Sequence, residues 1–419
     1  MTPRFSIIIP TRNRAHTLEF AILSALDHAA ADVEIVVSDN HSSDDSAAVV
    51  ERYAARGVRY LKPPESMTMP AHWNWAAAHA RGEWLTILAD DDALCPSYLP
   101  RLRAVLAEHP DVSVVTWLIG RYFHNVPLDE ANKFLRLYYD PAMRNKLELH
   151  SFSAETQRLT SRPRLDVVFA VGEDSTVPRG HNCAIRRALL EKLSAERGIF
   201  LGLCPDYACS AILLAATESY VFVDEPLQVF GSLPRGGAQT YAEQIAADFK
   251  NVPLFDGLPM QSPVLVVNHI TDTLLKARAA FPALLGRIDV DWVGYFLRAR
   301  QEIGELEEKG VDITTLEHDL ARALASQPVD VRRRVHGTLR GRFPSLARTL
   351  DKARHHPVAK ALRRVLYASP LVDSAIGALR GNQPRRWLDT FDGNVLGFSN
   401  IHEAARFTAR SAETRRERR

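Results

Sequence analysis

The sequence is poor in cysteine, lacks long apolar runs and carries almost no net charge. It has 4 cysteines among 419 residues, and no two of them are spaced as Cys-x-x-Cys. Four cysteines are too few for a disulfide-rich scaffold, and the missing Cys-x-x-Cys spacing disfavours a cysteine metal cluster. The low cysteine content fits a reducing compartment. No stretch reaches the ~20 apolar residues that cross a bilayer, and the first ten residues do not have the pattern of a signal peptide. We therefore expect a cytoplasmic protein.

The formal net charge of +2 excludes a polycation that binds nucleic acid through its whole surface. The charge is nevertheless uneven, because residues 331–419 contain 20 Lys and Arg against 7 Asp and Glu. Within this part, basic residues alternate with leucines between Arg332 and Arg364. Such a segment can lie on an anionic membrane surface, which would place the protein peripherally on the inner face of the membrane. The alternatives are a solvated helical face or a contact between subunits, and no nucleic-acid partner is expected.

Short apolar runs alternate with helix-like segments over the first 125 residues. The pattern predicts strands at residues 5–9, 33–38, 58–61, 84–89 and 112–117, and helices at 18–30, 47–56, 71–80 and 98–108. This alternation is typical of an α/β protein with a parallel sheet, in which ligands bind at the carboxyl ends of the strands. A Pro- and Gly-rich break at residues 231–237 predicts a domain boundary, and the sequence after it is mostly helical. We therefore predict an α/β domain over residues 1–237 and a helical, basic region over 238–419.

Three consecutive carboxylates, Asp90, Asp91 and Asp92, follow directly on the predicted strand at 84–89. Their mutual repulsion is costly at a strand end unless a cation neutralises them. Oxygen ligands suit Mg²⁺ or Mn²⁺, and such a cation can also stabilise a diphosphate leaving group. A solvated acidic turn in front of the next helix is the alternative.

Polar residues also follow two other predicted strands and precede one helix. Asp39 can accept hydrogen bonds from a base or ribose, and the segment that contains Thr11 and Arg14 suits an anionic ligand. Asp206 stands at the start of a predicted helix, where a carboxylate either stabilises the helix end or serves as a general base. Ordinary turns and helix caps are the alternatives at each of these positions.

Taken together, these segments resemble glycosyltransferase family 2 in their order and spacing. The resemblance runs over about residues 4–231 and rests on Phe5–Arg14, Glu34–Ser43, Gly82–Asp92, Asn182–Arg187, Asp206 and Asp224–Leu227. It implies the GT-A fold, a Rossmann-like and mostly parallel sheet flanked by helices, with a nucleotide-sugar half at 1–124 and an acceptor half at 125–237. It further implies a metal-dependent, inverting transfer of a sugar from a nucleoside diphosphate sugar, a UDP-sugar foremost, to a carbohydrate or lipid-linked acceptor. Surface polysaccharide or glycolipid assembly is the expected setting.

The resemblance also assigns roles to individual residues. Asp206 falls where the family keeps its catalytic base. The donor-binding positions are Pro10, Thr11, Arg14, Asp39, Asn74, Asp90 and Asp91. The acceptor-side positions are His181 and Asn182, and the positions for Mn²⁺ or Mg²⁺ are Asp90, Asp91 and Asp92.

The sequence departs from the family pattern at several positions. Because the acidic segment reads Ala-Asp-Asp-Asp, either Asp90 and Asp92 form the metal-binding pair, or Asp91 is the main metal ligand and Asp90 faces the ribose. An expected Arg is replaced by Trp73, an expected Glu by Pro205, and residues 229–239 contain no His. An inactive sugar-nucleotide-binding or scaffold protein is therefore the main alternative. A nucleotidyltransferase is a weaker one, because the segment after the first strand has no glycine.

Overall fold

The computed structural model of the chain describes residues 2–125, 141–171, 174–194, 198–232, 255–308, 310–341 and 388–417. Within these residues the central feature is an 11-stranded sheet. Its strands are β1 (Phe5–Thr11), β2 (Val33–Asp39), β3 (Val58–Leu61), β4 (Trp84–Ile87), β5 (Ala93–Leu94), β6 (Val114–Phe123), β7 (Lys146–His150), β8 (Thr156–Thr160), β9 (Cys183–Arg186), β10 (Ser219–Ser232) and β11 (Leu388–Asp392).

The strand order along the sheet is β3-β2-β1-β4-β9-β6-β7-β11, and β10 pairs with β5, β6 and β8. The first four strands, β1 to β4, are parallel, as the sequence predicts, and β10 runs parallel to β6. The sheet as a whole is mixed rather than mostly parallel. The reason is that β9 runs antiparallel to both β4 and β6, and that β7, β8 and β11 pair antiparallel to their neighbours.

Helices cover both faces of the sheet and form most of the C-terminal part. They are α1 (Ala15–Leu26), α2 (Ser46–Glu51), α3 (Met69–His79), α4 (Tyr98–Glu108), α5 (Ser161–Phe169), α6 (Arg187–Ser194), α7 (Pro205–Ala216), α8 (Val266–Ala280), α9 (Pro282–Leu285), α10 (Trp292–Glu308), α11 (Thr314–Ala325), α12 (Val329–Gly341), α13 (Gly393–Leu396) and α14 (Ile401–Glu417). In the part of the chain described here, no helix combines the length and the apolar character that crossing a membrane requires. The predicted α/β class and the helical C-terminal region are both confirmed.

Strand β1 explains why the first apolar run is continuous. Its side chains alternate between two cores: Ile7 and Ile9 pack in the core that contains α1 and α4, whereas Ile8 packs in the core that contains α7 and α8. All three are fully buried. A central parallel strand is covered on both faces, so consecutive positions along it, here Ile7, Ile8 and Ile9, are apolar.

The C-terminal part returns to the sheet. Strand β11 pairs with β7 at the edge, and α14 packs through Ile401, Ala404 and Ala405 against Ala93 and Val229. The side chain of Asp27 at the end of α1 accepts hydrogen bonds from Arg406 and His402 of α14.

Two sequence predictions fall outside the described residues. The predicted boundary at 237/238 lies between 233 and 254, and most of the basic segment, from 342 to 364, also lies outside them. The described part of that segment belongs to α12.

Candidate functional site

Several strand ends meet at one edge of the sheet. Because β1, β2 and β4 are parallel, Thr11, Asp39 and the loop after β4 lie at the same edge. Strand β9 runs antiparallel to β4, so His181 and Asn182, which precede it, lie at this edge as well. The order of the strands thus brings together residues that are far apart in the sequence.

The acidic loop after β4 (Asp90–Asp92) carries two carboxylates that face the loop after β1. The Thr11 hydroxyl donates a hydrogen bond of 2.7 Å to Oδ2 of Asp90. Arg14 Nη1 lies 3.8 Å from Oδ2 of Asp91, whose side chain is 19% exposed. Burial raises the pKa of Asp90 to about 7, with Arg14 acting in the opposite direction and Asp91 adding to the rise. This end of the sheet therefore concentrates negative charge next to one guanidinium group.

The third carboxylate of the loop, Asp92, points into the protein and is fully buried. Its Oδ2 accepts a hydrogen bond of 2.7 Å from the Gln228 amide, and its Oδ1 accepts one of 2.8 Å from the Gly231 backbone N–H. Burial raises the pKa of Asp92 well above its usual range, and the charge of Asp91 acts in the same direction. Both oxygens of Asp92 thus attach the acidic loop to β10.

Strand β10 approaches the acidic loop very closely at Gly231. A Cβ atom at Gly231 would overlap the Asp91 carbonyl, so a side chain at this position would push the loop away. His124, which follows β6, makes a hydrogen bond of 2.9 Å between its Nε2 and the same carbonyl. Burial lowers the pKa of His124, which favours the neutral ring. The backbone of the loop is therefore held from two sides.

Asp206 lies in the first turn of α7, where Pro205 occupies the first helical position. Arg179 Nη1 lies 3.9 Å from Oδ2 of Asp206, and the Arg179 guanidinium also lies over the ring of Tyr207, 4.4 Å from its centroid. The Asp206 side chain is 23% exposed. A partly exposed carboxylate next to a fixed cation has the accessibility that a general base requires.

His181 connects the two acidic groups electrostatically. Burial lowers the pKa of His181, whereas the charges of Asp206 and Asp91 both act to raise it. The ring of His181 also packs against Phe230 of β10, with 5.5 Å between the ring centroids. The acidic loop and Asp206 therefore act on the same buried ring.

Asp39 is fixed at the end of β2. Its Oδ1 accepts a hydrogen bond of 2.8 Å from the Ser42 N–H, and its Oδ2 accepts one of 2.7 Å from the Tyr60 hydroxyl. Burial and the Asp39 charge together raise the pKa of Tyr60. Pro10 lies buried in β1 directly opposite Ser38.

The amide groups of Asn74 and Asn182 contact backbone instead of facing open space. Asn74 Nδ2 donates to the Phe200 carbonyl at 2.8 Å, and its Oδ1 accepts from the N–H groups of Ile199 and Phe200 at 3.0 and 3.1 Å. Asn182 Oδ1 accepts from the Arg179 N–H at 2.6 Å, and its Nδ2 donates to a carbonyl of β6 at 3.3 Å. These contacts fix the two loops that lead to Asp206 and to β9.

The carboxylates of the acidic loop differ in how well they fit a divalent cation. Among the described residues, no group of three or more His, Cys, Asp or Glu side chains is arranged to hold a metal ion. Mg²⁺, however, usually takes only one or two carboxylates together with substrate phosphates and water. Asp91 is partly exposed and fits that role, with Asp90 beside it, whereas both oxygens of Asp92 are already engaged.

Sequence reasoning missed the residues that hold the acidic loop and the Asp206 loop. Gln228 is a fully buried amide within the otherwise apolar stretch Pro226–Phe230, and this polar interruption is a signal that could have found it. Arg179 had no comparable signal, because its contact with Asp206 depends on how two distant loops meet.

The comparisons with known proteins bear on the family of the chain. The sequence profile described as "Glycosyl transferase family 2" matches residues 6–193. A GalNAc(5)-diNAcBac-PP-undecaprenol beta-1,3-glucosyltransferase of Campylobacter jejuni is 37% identical over 103 residues, which cover 24% of this chain and 33% of that protein. The succinoglycan biosynthesis protein ExoO of Rhizobium meliloti is 31% identical over 100 residues, covering 24% of this chain and 29% of that protein.

Similarity to solved structures is weaker. The Staphylococcus aureus TarS 1-349 structure covers 81% of this chain and 92% of its own, with a TM-score of 0.42 and 15% identity. The mannosyltransferase PcManGT from Pyrobaculum calidifontis, in complex with GDP-Man and Mn2+, covers 88% of this chain and 89% of its own, with a TM-score of 0.42 and 17% identity. Both scores are low, so the family assignment rests on the sequence match. Residues 6–193 match glycosyltransferase family 2, the family that the sequence motifs resemble.

Proposed function

We propose that the chain is a metal-dependent, inverting glycosyltransferase that moves a sugar from a nucleoside diphosphate sugar to an acceptor hydroxyl. The observation that carries this proposal is that the loop after β1 places Thr11 and Arg14 on the carboxylates of the acidic loop, while the Asp206 carboxylate lies partly exposed beside Arg179. A donor diphosphate near the acidic loop and an acceptor hydroxyl near Asp206 would then lie on opposite sides of the transferred sugar.

The donor half of the site consists of the ends of β1, β2 and β4. In this proposal the base lies near Thr11 and Asp39, Asp90 faces the ribose, and Arg14 lies close to the diphosphate. Of the two registers for the acidic loop, the contacts of Asp92 with β10 favour Asp91 as the metal ligand. A divalent cation held by Asp91 and by diphosphate oxygens would stabilise the negative charge of the leaving group.

In the transfer step, Asp206 accepts the proton of the acceptor hydroxyl. The acceptor oxygen forms a bond to the anomeric carbon, and the bond from that carbon to the phosphate oxygen breaks, so its electron pair leaves with the nucleoside diphosphate. Attack from the face opposite the leaving group inverts the anomeric configuration, and no covalent enzyme intermediate forms. Arg179, whose Nη1 lies 3.9 Å from Oδ2 of Asp206, holds the carboxylate in place for this step.

The curated relatives suggest where such a reaction takes place. Their names include a glucosyltransferase that acts on an undecaprenol-linked saccharide and a succinoglycan biosynthesis protein. We therefore propose surface polysaccharide or glycolipid assembly, with a carbohydrate or lipid-linked acceptor and a UDP-sugar as the first donor to test. The matched stretches span 33% and 29% of these relatives, so the substrates are part of the proposal.

The donor half is tested by thermal shift with UDP, GDP, dTDP and CDP, each with Mn²⁺, Mg²⁺ or chelator. A nucleotide at 100 times its dissociation constant stabilises the fold by about 2.7 kcal/mol. We expect a metal-dependent shift with one nucleotide. If no nucleotide shifts the transition, the nucleotide-sugar site is refuted.

The catalytic half is tested by D206N, with D166N as the control, because Asp166 is an exposed aspartate on α5. Release of nucleoside diphosphate from the matching donor reports turnover. D206N should lower turnover by about 100-fold or more while the nucleotide-dependent thermal shift is retained. A wild-type protein that shows the nucleotide-dependent thermal shift but releases no nucleoside diphosphate from the donor would instead support the inactive binding-protein alternative.

A further inference from the structure

The side chain of Thr273 on helix α8 contacts the loop in front of Asp206. Its hydroxyl oxygen accepts hydrogen bonds of 3.1 Å from the backbone N–H groups of both Leu203 and Cys204. Thr273 is fully buried. Two consecutive backbone donors of this loop therefore depend on one oxygen from a helix outside the family 2 match.

The loop lies against α8 with no space for another atom. Gly202 has a φ of +70°, and a Cβ atom at this position would overlap the side chain of Thr273. A turn with positive φ is accessible to glycine at little cost. The chain thus turns at Gly202 directly on the surface of α8, and Thr273 binds the two N–H groups that follow.

The fixed segment leads straight into the base. Cys204 caps α7, Pro205 is its first residue, and Asp206 follows in the first turn. Buried N–H groups that lose their acceptor are costly, so without the Thr273 oxygen the loop would have to rearrange. A movement of about 1 Å at a reacting group can lower the rate by about 100-fold.

We propose that Thr273 is a positioning residue for Asp206, so that α8 of the C-terminal region is part of the catalytic site. This inference rests on the proposed function, because it takes Asp206 as the general base. Thr273 acts through the backbone of Leu203 and Cys204 and does not touch the substrate.

The same helix offers a matched control. Thr271 lies two residues earlier on α8 and is also fully buried, and its hydroxyl has no hydrogen-bond partner among the described residues. T273V and T271V make the same chemical change in the same helix. T273S restores the oxygen, so it separates the hydrogen bonds from the packing of the methyl group.

The full-length variants are compared by kinetics and by amide hydrogen exchange, at a temperature below all their thermal transitions. T273V should lower kcat by about tenfold or more, with KM for the donor changed by less than about twofold. T273V should also increase exchange in the peptide that contains Leu203 and Cys204. T273S and T271V should stay close to the wild type in both measurements.

The outcomes separate this proposal from the function on which it rests. If the wild type is active and T273V keeps the wild-type kcat, the positioning role is wrong while the glycosyltransferase assignment stands. If T271V loses kcat as strongly as T273V, the effect comes from the packing of α8, and the positioning role is also wrong. If the wild type transfers no sugar, the proposed function fails, and the positioning role fails with it.

Discussion

Asp92 and Gln228 form a buried hydrogen bond of 2.7 Å that ties the acidic loop to β10. Asp91, one residue earlier, stays partly exposed beside Arg14. Neighbouring aspartates in one loop therefore have different surroundings, and their substitution should have different consequences. Asp92 supports the structure of the loop, whereas Asp91 is available to a ligand.

We predict that D92N destabilises the fold and that D91N affects ligand binding. An asparagine at 92 has only one acceptor for the two donors, Gln228 and Gly231, and leaving one of these buried groups unpaired costs about 1–3 kcal/mol. D91N removes only a partly exposed ion pair, which is worth about 0–1 kcal/mol. Denaturant unfolding measures the first effect, and the Mn²⁺-dependent shift with nucleotide measures the second. The interpretation is wrong if D92N unfolds like the wild type, or if D91N keeps the full metal-dependent shift.

We predict that G231A disturbs the acidic loop without touching its carboxylates. The added methyl group would overlap the Asp91 carbonyl, and relieving this overlap in a packed region costs about 1–3 kcal/mol. The displaced loop should also bind nucleotide more weakly, which the thermal-shift assay measures.

The control for G231A is G304A in α10, where a Cβ atom meets no other atom within 4 Å. This helical substitution should stabilise the protein by about 0.5–1 kcal/mol. A G231A protein that unfolds and binds like the wild type would contradict the close contact.

Local patterns predicted the first half of the fold well. The predicted strand at 58–61 and the predicted helix at 98–108 agree with β3 and α4, because each has a strong period of its own and short connections. Strands β7, β8 and β9 were missed because they are short and join the sheet through distant partners. The return of β11 and α14 to the sheet leaves no local signal, since it depends on contacts between residues more than 170 positions apart.

The candidate site, like the fold, was predictable from the sequence only in part. Its position was predictable, because strand ends in a parallel sheet meet at one edge, and the structure brings Thr11, Asp90 and Asp91 together there. The contacts of Asp92 and Asn74 were not predictable. Side-chain direction in a loop depends on which polar partners the rest of the fold supplies, here Gln228 and the backbone at 199–200.

We predict that Asn74 contributes to stability and to turnover through the loop at 199–200. N74A removes three hydrogen bonds to this loop, and the buried groups left without a partner should cost about 1–3 kcal/mol. Turnover should fall while the nucleotide-dependent thermal shift persists, because the loop leads to Asp206 and not to the acidic loop. A78N, on the exposed face of α3, is the control and should leave turnover unchanged and lower stability by no more than about 0.7 kcal/mol, the difference in helix propensity. If N74A weakens nucleotide binding and its turnover defect disappears at saturating donor, Asn74 serves the donor directly.

We predict that His28 makes the fold less stable in acid. Burial lowers the pKa of His28 from 6.5 to about 4, although the charge of Asp27 acts in the opposite direction. Between these two pH values the unfolded chain binds a proton that the folded protein does not. The stability from this residue is therefore complete above pH 6.5 and is lost as the pH falls towards 4. The full loss is about 3 kcal/mol for a shift of this size.

Denaturant unfolding at pH 7 and at pH 4.5 should show a smaller loss of stability in acid for H28F than for the wild type. The reason is that phenylalanine keeps a ring beside Tyr98 but cannot bind a proton. Equal acid losses in the two proteins would show that His28 is protonated in the folded state.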